Sequence, residues 1–137
     1  MPDAVYRAED TVLAPVARRF PTMAELRHYV IELTLSDWWQ EQFPAAQVGI
    51  AVEERSSSAR FSLAVDSSHI AIANAPHHRT IAVVLHELAH VATVSADGHG
   101  PIFRSAMIKL VRREMGIYAA VELEAEYRRN FTLGGTP

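Results

Sequence analysis

The sequence predicts an α+β fold, and three observations carry that prediction. Apolar residues recur at helical spacing over 21–43 and again over 79–130. Between them, over 48–72, they alternate with small or polar neighbours. That alternating stretch breaks into three short runs separated by turn chemistry. The expected order is helix, three strands, helix, helix, helix. The strands form a small three-stranded antiparallel sheet, packed on the N-terminal helix and on the helix over 79–93, with two helices following. At 137 residues the chain has the usual size of one domain, so residues 1–137 are read as a single unit.

Residues 5–14 read as a short strand or an arm, and Pro15 and Pro21 bracket a break. Thr22 has N-cap character, and Glu25 three places on completes a capping box. Met23, Leu26, Val30, Leu33 and Trp38 follow at helical spacing, giving a first helix over 21–43 that stops before Pro44. Asp37 marks an interruption or a second start inside it. Val48, Ile50 and Val52 form the first strand, Phe61, Leu63 and Val65 the second, Ile70 and Ile72 the third. Turn residues at 53–58 and 66–69 join them as a meander of two hairpins. After an exit loop at 75–78, Ile81, Val84, Leu85, Leu88 and Ala92 make the apolar stripe of the next helix. Pro101 opens another helix in the first-turn position that suits proline, and Gly116 closes it. A last helix covers 118–130, and residues 134–137 read as a frayed tail.

Composition removes several function classes. The chain has no cysteine, which excludes disulfides, iron–sulfur clusters and thiolate metal sites and fits a cytoplasmic location. The longest apolar runs, 70–73 and 81–85, are far too short to cross a bilayer, so no membrane partner is expected. Residues 1–10 carry Asp3, Glu9 and Asp10 with no apolar segment, so no secretory signal is expected. A formal net charge of −3 argues against phosphate-driven binding to nucleic acid. The basic residues Arg104, Lys109, Arg112 and Arg113 read as a solvated helix face. Of the pair Trp38 and Trp39, one ring is expected in the core and the other partly exposed.

The chemistry lies in His86-Glu87-Leu88-Ala89-His90. Two histidines four residues apart on a helix stand one turn above each other, about 40° apart around the axis, so both imidazoles can reach one ion. Glu87 points about 100° away from His86, poorly placed as a ligand but well placed to take a proton from a water held there. This is the HExxH pattern of two zinc ligands and a general base. Hydrolytic zinc keeps three protein ligands and leaves one position to water. His99, nine residues after His90 across a turn with Gly98 and Gly100, is the first choice as third ligand. Asp97 from the same loop and Glu114 from the following helix are the alternatives. Thr93 and Ala96 stand where the metzincin pattern requires glycine and histidine, so that class is excluded.

His86-Glu87-Leu88-Ala89-His90 followed by His99-Gly100-Pro101-Ile102-Phe103 resembles the SprT-like and WLM-type minimal zinc metalloproteases, whose pattern is HExxH, a short loop, then HGxxF. The resemblance implies a zincin-like domain, His99 as third zinc ligand and Phe103 packed beneath the site. The whole chain, including Tyr6-Arg7-Ala8-Glu9-Asp10, also resembles a small family of metallohydrolases of actinobacteria and their phages. The absence of cysteine departs from full-length SprT-type proteins, which commonly carry a C-terminal zinc ribbon, and this puts DNA-dependent activity in doubt.

The expected function is a zinc-dependent hydrolase, foremost a metallopeptidase that cleaves amide bonds of a peptide or protein substrate. Zinc is the cofactor, His86, His90 and His99 hold it, and Glu87 acts as general base towards the zinc-bound water. Hydrolysis of a non-peptide amide is the first alternative, and a regulatory or binding module with a structural zinc site the second. Tyr118, Tyr127, His77, His78 and Arg79 are candidates for a second stabiliser of the developing oxyanion. The strand over 69–74 is either an edge that pairs with an extended substrate or an ordinary edge strand. Nothing in the sequence speaks to oligomeric state.

Overall fold

The computed structural model describes residues 3–94 and 96–132. Its elements are α1 (Ala4–Val12), a 3-10 turn (Ala14–Val16), α2 (Met23–Leu35), α3 (Asp37–Gln42), β1 (Ala51–Arg55), β2 (Leu63–Ala64), β3 (His69–Ala73), α4 (Ile81–Ala92), α5 (Pro101–Glu114) and α6 (Ile117–Thr132). The α+β class is as expected, and the tail at 134–137 lies outside the described residues.

The first departure is α1, where a strand or arm was expected. Asp3 caps it, its carboxylate accepting from the Val5 N–H at 2.7 Å. Val5, Ala8 and Leu13 are fully buried at helical spacing, but Glu9 shares their face. A carboxylate in the apolar stripe hid the helical period. The capping box at α2 forms as read, with the Thr22 hydroxyl accepting from the Glu25 N–H at 3.1 Å. The expected long helix does break near Asp37. Ser36 starts α3 by accepting from the Trp39 N–H at 3.1 Å. Trp39 is fully buried with its indole N–H on the Gln47 carbonyl at 2.9 Å, whereas Trp38 is half-buried against Phe43.

The sheet is mixed, not antiparallel. Its order is β1-β3-β2, with β3 parallel to β1 and antiparallel to β2. Of the two expected hairpins only β2–β3 forms, its turn held by the Asp66 carboxylate on the Ser68 and His69 N–H groups. The other connection carries the chain from β1 to the far edge of the sheet. Burial explains the arrangement. Ile70, Ala71, Ile72 and Ala73 are all buried, as a central strand requires, while β1 exposes Ala51, Glu53 and Glu54. The reading of 69–74 as an edge strand is therefore corrected: β3 has a partner on both sides, and β2 lies at the sheet edge beside α4.

Helix α4 runs through the middle of the molecule. Thr80 caps it, accepting from the Val83 N–H at 3.3 Å. It packs on β2 and β3 and on α5; α6 covers α5, and α1 covers α6. Leu85, Leu88 and Ala89 are fully buried, as are Met107 and Leu110 of α5. Beyond the end of α4 the chain reverses through Val94, whose φ of 52° is a left-handed value that costs a β-branched residue strain. Helix α5 has no side-chain cap at Gly100 itself. Asp97 supplies it, accepting from the Ile102 N–H at 2.7 Å and the Phe103 N–H at 3.0 Å. Gly100 allows this, because a Cβ there would meet the Asp97 carboxylate at 2.5 Å.

Candidate functional site

His86 and His90 project from one face of α4, one turn apart, and the reversal after α4 brings His99 back over them. The His99 Nε2 lies 3.1 Å from the Nε2 of His86 and 3.2 Å from that of His90. The three residues offer nitrogen atoms all within 4.8 Å of one another, a grouping that could hold a metal ion. His86 is buried, and His90 and His99 are partly exposed.

The second ring nitrogens explain why the Nε2 atoms face each other. His86 Nδ1 lies 2.7 Å from Glu9 Oε1, and His99 Nδ1 lies 3.2 Å from Asp3 Oδ2. A carboxylate only accepts, so in each neutral ring Nδ1 carries the proton and Nε2 presents a lone pair inward. Glu9 is itself oriented by the Tyr127 hydroxyl, which donates to Oε2 at 3.1 Å. For His90, burial and then the neighbouring His86 and His99 push the pKa down to about 4, so its ring is neutral near pH 7. Burial would also lower His86, but the Glu9 carboxylate outweighs it and the net shift is upward.

Two aromatic rings enclose the imidazoles. Phe103, fully buried, lies 4.9 Å, 4.5 Å and 4.9 Å from the rings of His86, His90 and His99. It packs where the HGxxF resemblance implied. Tyr6 stacks on His86 at 4.7 Å and meets His99 edge-on at 5.1 Å. Burial, with Glu87 close by, raises the Tyr6 pKa to about 12, so its hydroxyl keeps its proton.

Glu87 is 5 % exposed. Burial pushes its pKa up to about 7, opposed by His86 and by a hydrogen bond from the Ala64 backbone of β2, and assisted by Glu9. Two cavities of about 460 and 550 Å³ meet beside it, sharing Tyr6, Phe61 and Ser62 as well as Glu87. A buried carboxylate titrating near neutrality in a cleft is suited to exchange protons with a bound molecule.

The other sequence candidates stand outside the histidine group. Asp97 caps α5, and Glu114 accepts from the Tyr29 hydroxyl at 2.5 Å, so neither joins the histidine group. Tyr118 is 84 % exposed on α6, and Tyr127 is engaged with Glu9. Arg79 is tied to Asn74 and to the Phe20 carbonyl, and His78 to Ser62. His77 lines the smaller cavity. The basic stripe of α5 is not a uniform solvated face: Arg104 is half-buried over the Phe131 ring at 3.7 Å. Sequence reasoning missed the roles of Asp3, Tyr6 and Glu9. Their spacing of three places them on one face of α1, a signal readable only once residues 4–12 are taken as a helix. Among the described residues no helix is long and apolar enough to cross a membrane.

The model of the SprT-like family matches residues 30–124. No curated protein and no solved structure matches the chain.

Proposed function

Starting from a chain that belongs to the SprT-like family, whose domains are minimal zincin-type metalloprotease-like domains, we propose that this protein is a zinc-dependent metallopeptidase. His86, His90 and His99 are the zinc ligands in this reading, and Glu87 is the general base. The observation that carries it is three imidazole nitrogens converging beside a buried carboxylate whose pKa is raised to about 7.

The donor set fits zinc: three imidazoles, two of them with Nδ1 on a carboxylate, would hold the ion and leave a position for one exchangeable ligand. A zinc ion bound there supplies Lewis-acid polarisation of the substrate carbonyl and makes water at the site more acidic. The remaining work belongs to the chain. Glu87 takes the proton from the attacking water and returns it to the leaving amine, a role that calls for a pKa near the working pH. Glu9 and Asp3 hold the rings of His86 and His99 in orientation. The Ala64 N–H aims the Glu87 carboxylate, and its lowering effect on the pKa is outweighed by burial.

The test is hydrolysis of an unstructured protein by zinc-loaded wild type and by Glu87→Gln, with metal content measured in both. The reading expects about one zinc per chain in each protein and cleavage lost in the variant only. Cleavage retained in Glu87→Gln overturns the assigned base.

A further inference from the structure

The smaller of the two cavities beside Glu87, about 460 Å³, has no part in the proton transfer described above. Ala82 and Val83 of α4 line it, together with His86 and Glu87. Ala14 and Ala17, from the segment after α1, form one wall; Phe61, from the loop before β2, forms another. Three of the lining residues, Ala14, Ala17 and Ala82, carry only a methyl group, and charged and hydroxyl side chains complete the lining. Phe61 is 69 % exposed and lines the recess, so its ring is open to contact by a bound apolar group. The volume falls within the roughly 300–1,000 Å³ range of ligand pockets.

We propose that this cavity is a side-chain subsite that takes a large apolar residue, aromatic for preference, flanking the scissile bond. The proposal rests on the hydrolase reading and names its substrate class. An acidic side chain fits less well. Arg19 and Arg60 also line the recess, but so do three carboxylates, Glu9, Asp10 and Glu87. An uncharged ring meets methyl groups and Phe61 without repulsion, and the guanidinium planes can lie against its face. Tyr6, Ala14, Ala17 and Arg19 precede residue 30, where the family match begins, so the wall is built by this chain's own N-terminal segment.

Two assays test it. In the first, zinc-loaded wild type is given peptides identical except for Phe, Leu, Ala or Asp at the residues flanking the cleavage point. The expected kcat/KM favours Phe over Ala by roughly tenfold or more at one flanking position. Ala17→Leu, which fills the recess, and Phe61→Ala, which removes an exposed wall without disturbing the core, both bring that ratio towards unity. In the second, fluorescence anisotropy follows binding of the labelled Phe and Ala peptides to Glu87→Gln, which reports on the recess without turnover. The same preference is expected there, and Ala17→Leu added to that background erases it. Binding preference without any cleavage by wild type refutes the hydrolase reading and keeps the subsite. Cleavage with a flat profile, a preference for Asp, or a Phe preference untouched by both substitutions refutes the subsite.

Discussion

Removing the charge of Glu87 should stabilise the metal-free protein at alkaline pH. The carboxylate is 5 % exposed, and its pKa stands at about 7 against an ordinary 4.5. Between those values the folded chain holds a proton that the unfolded chain has released. Stability therefore falls as pH rises through the window from 4.5 to 7 and levels off above it. The full cost of keeping this buried carboxylate ionised is roughly 3 kcal/mol. Glu87→Gln keeps the shape and removes the titration. His90, held at about 4, has the opposite slope between its folded pKa and its ordinary 6.5, but it is present in both proteins and cancels in the comparison to first order. Urea denaturation in the presence of a chelator should show the variant close to wild type at pH 5. At pH 8.5 it should be more stable by up to roughly 3 kcal/mol, or roughly 10 °C in melting temperature. A gap that is the same at both pH values, or absent at both, refutes the claim that Glu87 is held in the site against its own solvation.

Two further outcomes follow from the groups around the histidines. Glu9→Gln keeps an acceptor for His86 Nδ1 but removes the charge that orients and polarises the ring, so zinc affinity by chelator competition should fall about tenfold to a hundredfold; an unchanged affinity would deny Glu9 that role. Asp97→Ala leaves the Ile102 and Phe103 N–H groups without their acceptor and should cost about 1–2 kcal/mol by thermal melting, whereas a loss of metal with no loss of stability would make Asp97 a ligand.

Those elements that carry their signal locally could be read directly. Thr22 with Glu25, Pro101 and Gly116 announced the helix ends they make, and the four-residue spacing of His86 and His90 placed their rings on one side of α4. What could not be read depended on partners distant in sequence. Alternation shows which face of a strand is buried, but not that β3 slips between β1 and β2, because either edge of Ile70 to Ala73 is the same to its own side chains. Helix α1 was hidden because its buried face holds Glu9, a residue that only makes sense beside His86, 77 positions away. The same long-range need explains the missed Asp3 and Tyr6, which look like surface residues until His99 is folded over them. Because β3 is covered on both sides, the strand beside Glu87 and its cleft is β2.

The most direct measurement of the central claim is X-ray absorption at the zinc edge of protein loaded with one equivalent of zinc, for wild type and His99→Ala. The account predicts about three histidine nitrogens near 2.0–2.1 Å in wild type and about two in the variant, with the lost ligand replaced by a light-atom donor. A wild-type spectrum with fewer than three imidazoles, or one unchanged by His99→Ala, would contradict it.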